Sequence, residues 1–246
     1  MLLRTLLPGL MIAILNGTLM AQGPMGVPLS PTGPSGRYYP LDHRQAPGVA
    51  AQWQMTVKRG LYGYMQPVRV ITPGAASVSY YNGAPKAEVV TAAPSQARMM
   101  VGHVYRLKLS AIEGHPGLEL YPTIEILDRL HPPEGKLDQF PIPVELTEEE
   151  IVAASEERLV TKVIYLEQPD VAPPVSDDAR ARVEELDQRL NLLEAADVRG
   201  RPMAILRIGG RIPDPDAPVD EFFSSSPLML TPDAVSDGSL RKQTVR

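Results

Sequence analysis

Apolar and polar residues take turns from Tyr105 to Ile126, on either side of Gly114-His115-Pro116-Gly117. Alternation with a period of two sends successive side chains to opposite faces of a strand. Two such runs around a Gly- and Pro-bearing turn therefore specify an antiparallel hairpin. With Gly114 to Gly117 as a four-residue loop, Ala111 pairs with Leu120, Leu109 with Pro122, Leu107 with Ile124 and Tyr105 with Ile126. That face is apolar, and the other sets Arg106 opposite Glu125 and Lys108 opposite Thr123. A slip of one residue would mix the two faces, so the pattern pins the register. On this reading the carboxylates form the polar face of a sheet, with Arg106 and Glu125 contributing about 0.2–1 kcal/mol as a cross-strand pair. Pro122 lacks a donor and belongs at an edge or a bulge.

Shorter signals flank the hairpin. Trp53, Met55 and Val57 alternate with polar residues and predict a strand, as do "QPVRVITPG", "ASVSYYNG" and "AEVVTA". The second of these ends at Pro73-Gly74 and the third at Asn82-Gly83, both turn dipeptides. "HPPEGKLDQFPIPVEL" reads as a proline-rich crossing. Thr147 and Glu150 then have capping-box spacing for a short helix over about 148–158. "LVTKVIYLE" and the continuously apolar "PMAILRIGG" predict two further strands. Between them Ser176 can cap a longer amphipathic helix over about 177–198, stopped by Gly200 and Pro202. Its stripe of Ala179, Val183, Leu186, Leu190 and Leu193 is narrow, suited either to this protein's own sheet or to a homodimer seam. The expected class is mainly β (α+β): an antiparallel β-sandwich or partly open barrel carrying these two helices.

The ends bound the folded part. Met1 to Ala21 has one basic residue, an apolar run and a small residue in closing position, the layout of a secretory signal peptide. An uncleaved N-terminal anchor is the alternative. Residues 22–49 hold 11 Gly or Pro among the 27 positions from Gln22 to Gly48 and read as a disordered leader. Residues 213–246, rich in Pro, Asp and Ser, read as a disordered tail, with a docking motif around Phe222, Phe223 and Leu228 as the minority reading. A single β-rich domain over 50–212 remains. The chain has no cysteine, which excludes disulfides, thiolate metal sites and lipid attachment to an N-terminal Cys. A formal net charge of −5 without any basic cluster argues against nucleic acid.

No nucleophile elbow, zinc-protease helix, phosphate loop or dinucleotide fingerprint occurs, so no catalytic residue and no cofactor are assigned. Two sets of side chains merit a place as candidates. His103 and His131, with Glu134, form a weak two-histidine metal candidate, whereas His115 lies at the far hairpin tip. Trp53, Tyr62, Tyr64, Tyr80 and Tyr81 could make a stacking surface for a carbohydrate or envelope polymer, with Tyr62 and Tyr64 on one sheet face.

"VGHVYRLKLSAIEGHPGLELYPTIEILDRLHPPEG", "FPIPVELTEEEI", "LVTKVIYLEQPD" and "RPMAILRIGGRIP" resemble a group of uncharacterised secreted proteins of planctomycete-type bacteria, over residues 99–170 and 200–213. The resemblance implies export and carries over no site residues. The expected role is an exported, non-catalytic structural or interaction domain of the periplasm or cell surface. Its partner would be a protein or an envelope polymer. The alternatives are a polymer-binding module on the tyrosine face and, more weakly, a metal-dependent enzyme.

Overall fold

The computed structural model describes residues 41, 45–81, 88–168, 185–186, 190–214, 216, 222–223 and 226–231. The signal-peptide reading, nearly all of the leader and positions 232–246 lie outside them. Among the described residues the fold is mainly β with short helices, and the strands form three sheets, none closed into a barrel. One sheet has the order β11-β4-β1-β8, from Leu228–Leu230, Ser95–Met100, Met65–Ile71 and Ile142–Glu145. The second is β5-β7-β10-β9, from Val104–Arg106, Thr123–Ile126, Gly200–Ile208 and Val160–Glu167. The third is β3-β2-β6, from Glu88–Ala92, Ser77–Tyr81 and Lys108–Ser110. Val68, Val78, Met99, Leu109, Ile124, Ile142 and Leu206 belong to one buried apolar cluster, so all three sheets share a core. Among the described residues no helix is long and apolar enough to cross a membrane.

The expected pairing is antiparallel throughout, but β1 and β8 run parallel, with Val68 opposite Ile142 and Val70 opposite Val144. The proline-rich crossing thus ends in a strand, β8. β8 closes its sheet, and Pro143 stands in this edge strand, where a missing donor is tolerated. Strand β10 is buried from Pro202's successor Met203 to Ile208, as its unbroken apolar run requires, and lies between β7 and β9.

The hairpin forms with its register slid by two residues. Tyr105 faces Ile124, Arg106 faces Thr123 and Val104 faces Glu125, while Leu109 bridges Leu120. A slide of two keeps every side chain on its expected face. The loop causes it. Ala111 takes a positive φ of 49°, and the His115 and Leu118 amides close successive turns on the Ile112 and His115 carbonyls. Glu113 is tied to the Ala75 backbone by its own amide and by its carboxylate. The first arm also changes sheets: β5 pairs with β7 and β6 with β2, so the chain turns a corner at Leu107.

The alternation at Trp53, Met55 and Val57 belongs to a helix, α1, Val49–Val57. Its buried residues are Ala50, Ala51 and Gln54, a helical spacing that the Trp-Met-Val alternation obscures. Two acidic side chains hold it. Glu125, buried in β7, accepts the Ala51 amide at 2.6 Å and so caps the first turn. Asp128, also buried, accepts Lys58 Nζ at 2.7 Å just past the last turn. These carboxylates are helix anchors rather than a solvated hairpin face, and Arg106 does not meet Glu125.

Helix α2, Glu148–Ser155, starts at the expected capping box, with Thr147 Oγ1 accepting the Glu150 amide and Glu150 accepting the Thr147 amide. Lys162 on β9 pairs with Glu150 at 2.6 Å and fixes the helix to the second sheet. Of the helix expected over about 177–198, the described residues hold α3, Leu192–Arg199, which begins where Asn191 takes the N-cap role with its side chain accepting the Leu193 amide. Leu193 is fully buried beside Ala51, Leu127 and Ile205, whereas Leu190 is exposed before the helix begins. Ala179 and Val183 of the stripe lie outside the described residues.

Candidate functional site

The densest aromatic cluster comes from the region expected to be a tail. Phe222 and Phe223 are buried against Tyr81 at the end of β2 and Tyr121 just before β7. Tyr81 and Phe223 stack with centroids 3.7 Å apart. Tyr121 meets Phe222 edge-on at 5.4 Å. Arg106 of β5 completes the seat: its Nη1 donates to the Phe222 carbonyl at 2.6 Å and its guanidinium lies 4.2 Å from the Phe222 ring centroid. Arg211 approaches the same ring at 5.7 Å. Among the described residues neither guanidinium has a carboxylate within ion-pair distance.

The segment continues as an added strand. Ser226 Oγ donates to the Val104 carbonyl at 2.9 Å. Tyr105 donates its hydroxyl to the Pro227 carbonyl and accepts the Met100 amide, both at 2.6 Å. β11 then pairs antiparallel with β4, Leu228 opposite Met99, Met229 opposite Arg98 and Leu230 opposite Ala97. Leu228 and Leu230 pack on the core while Met229 between them is exposed, the alternation of a one-sided edge strand. Thr231 Oγ1 donates to the Gln96 carbonyl at 3.1 Å. Main-chain pairing, two aromatic anchors and alternate apolar side chains are the components of peptide recognition by strand addition.

The electrostatics suit holding rather than proton transfer. Burial, and then the like charge of Arg211, push the Arg106 guanidinium down to about 10. Burial, reinforced by the hydrogen bond to Glu119, pushes the Tyr121 hydroxyl up to about 12. Burial, and then the neighbouring Glu88, raise the Tyr81 hydroxyl too. Glu119 is held below its usual range, first by Lys108 and then by the Tyr121 hydroxyl. Near neutral pH the tyrosines are neutral donors and the arginine a fixed cation.

The five aromatic candidates do not share one surface. Trp53 stands on α1. Tyr62 and Tyr64 precede β1 rather than sharing a strand face, because Arg59–Leu61 forms a 3-10 turn before the strand. Tyr62 is 85% exposed, while Tyr64 lies under the Arg129 guanidinium. Tyr80 is a core residue bonded to Ser95. Tyr81 alone joins the cluster above. Of the metal candidates, His103 is half-buried while His131 and Glu134 are exposed. Among the described residues no three His, Asp or Glu side chains converge in a way that could hold a metal ion. His115 at the loop meets Glu148 of α2 at 2.7 Å, joining the hairpin tip to a helix start.

The Phe222-Phe223-Leu228 motif stands out in the sequence as apolar residues in a polar tail. Its partners Arg106 and Tyr121 do not, because the hairpin pattern sets Arg106 opposite Glu125 and nothing in the spacing links position 121 to 222. Comparison of the chain with protein-family models, with curated proteins and with solved structures finds no match.

Proposed function

We propose that this chain is an exported, non-catalytic interaction domain of the periplasm or cell surface that works by gripping an extended peptide segment. The observation that carries this reading is the seat of Tyr81, Tyr121 and Arg106 beside the β4 edge, which grips Phe222-Phe223 and β11. Export rests on the signal-peptide layout of residues 1–21 and on the resemblance to secreted proteins. The test uses the protein in its native envelope. Its amino terminus should begin at Gln22, and a photoreactive residue at the exposed position 229 should cross-link in cells. Turnover of a substrate by the purified full chain, lost on one point change within 50–212, would overturn the reading.

A second reading has one observation behind it. Tyr62, nearly fully exposed on a turn, offers its ring to an envelope polymer. Sedimentation with cell-wall polymer that is lost on Tyr62→Ala would favour it; retained sedimentation would remove it.

A further inference from the structure

Lys58, Arg129 and Arg201 are far apart in the chain, and the fold sets them around one carboxylate. Asp128 is buried just past β7 and accepts Lys58 Nζ at 2.7 Å, with Arg201 Nε 3.8 Å from the same oxygen. Arg201, near the start of β10, also donates from Nη2 to the Arg129 carbonyl at 3.2 Å. The Arg129 guanidinium stands 4.7 Å from the Tyr64 ring centroid, and among the described residues it has no carboxylate within ion-pair distance. Three partly exposed cations thus share one carboxylate, in a chain whose formal net charge is −5. Each is also held in place. The buried carboxylate fixes Lys58 and Arg201, and a ring face fixes Arg129, so their remaining donors are pre-set rather than swept about on free side chains. An exposed ring belongs to the same surface. The Leu61 amide donates to the Lys58 carbonyl and the Tyr64 amide to the Leu61 carbonyl. Tyr62 is therefore the tip of a tight turn between Lys58 and the ring that carries Arg129. Planar guanidinium donors beside an aromatic face suit a sugar ring bearing a carboxylate: the ring stacks and the arginines take the charge.

We infer that this surface binds an acidic polysaccharide, with Arg129 and Arg201 on its carboxylates and Tyr62 stacked on a sugar ring. This rests on the reading that Tyr62 meets an envelope polymer, and it names that polymer's chemistry. Nucleic acid is the poorer fit, since closely spaced phosphates call for a longer basic track than these side chains supply. A lipid surface asks for a broad apolar face, where this one offers a single exposed ring among cations.

The test is calorimetric binding of the purified full chain to polygalacturonate and to the same polymer with its carboxylates methyl-esterified. Esterification should weaken binding about tenfold or more, as the loss of a charge-assisted hydrogen bond implies. Arg129→Gln should weaken binding of the charged polymer about tenfold and leave the esterified one unchanged, with circular dichroism confirming the fold. Tyr62→Ala, at an exposed position that bears no load in the core, should weaken both polymers alike and keeps the test open if Arg129→Gln does not fold. Equal binding of the two polymers, lost on Tyr62→Ala, overturns the acidic choice and keeps the polymer reading. No binding of either polymer overturns both, and charge-dependent binding unmoved by Tyr62→Ala removes the stacked sugar and leaves only an anion site. Phosphatidylglycerol vesicles or single-stranded DNA bound as tightly as polygalacturonate, and released by Arg129→Gln, overturn the inference in favour of a general anion surface.

Discussion

Tyr81 and Phe223 stack ring on ring, with centroids 3.7 Å apart and planes inclined by 24°, joining the end of β2 to a segment near the other end of the chain. Aromatic pairs of this kind contribute about 0.5–1.5 kcal/mol beyond the area they bury. Truncating either ring also opens a void in the cluster with Phe222 and Tyr121. Tyr81→Ala and Phe223→Ala should each cost about 3 kcal/mol or more locally. A double-mutant cycle on urea unfolding and on exchange at the Leu228–Leu230 amides should show coupling of the size given above. Additive effects would mean that the rings merely sit near one another.

Glu125 gives the second prediction. Its carboxylate is buried, caps Ala51 at the start of α1 and lies within electrostatic reach of Arg207, itself buried on the adjacent strand. Glu125→Leu removes the acceptor and leaves the buried Ala51 amide without a partner, which should cost about 1–3 kcal/mol. Glu125→Gln keeps an acceptor for the Ala51 amide and should cost distinctly less. Equal losses in urea midpoint for the two variants would refute the cap and leave only shape.

Much of the fold is legible in the chain because its cues are local. Turn dipeptides, the Thr147 and Glu150 box, the apolar run of β10 and the alternation of β1, β2, β3 and β9 each act within a few residues. Contacts that depend on distant partners were not legible. The Trp53-Met55-Val57 alternation mimics a strand until Glu125 and Asp128 are known to clamp the ends of α1. The hairpin slid by two because Glu113 is bonded to Ala75, which no hairpin rule contains. The candidate site was half visible: Phe222 and Phe223 stand out as apolar residues in a polar tail, but their seat is assembled from three sheets. The aromatic candidates scattered because strand aromatics such as Tyr80 are taken up by the core.

A pH dependence follows from His103. Burial lowers its pKa below the ordinary value, since a charged imidazole there would be desolvated. The unfolded chain, with a histidine near 6.5, therefore binds a proton before the folded chain does. Stability contributed by the neutral ring is complete above that value and is lost as pH falls through the window down to the folded-state pKa. Unfolding free energy measured at closely spaced pH values should decline across this window, and His103→Gln should flatten that decline. Parallel curves for the two proteins would show that His103 plays no part.

Gly102 separates two ways in which a side chain can be excluded. It sits between β4 and β5 with φ at 85°, and its amide donates to the Ile126 carbonyl at 2.8 Å. A Cβ there would lie 2.3 Å from Met55 Cγ, so an added methyl meets α1 as well as an unfavourable backbone region. Gly114 has a similar φ of 82° but open space around the same position. Gly114→Ala should therefore cost only the backbone term, about 1–2 kcal/mol. Gly102→Ala should cost that plus about 1–3 kcal/mol of overpacking. Because Met55 is the obstacle, Met55→Ala should recover the overpacking part in the double variant while remaining destabilising alone. Chemical denaturation of the four proteins checks this, and a Gly102→Ala loss no larger than that of Gly114→Ala would place α1 further from the β4–β5 turn than its anchors at Glu125 and Asp128 allow.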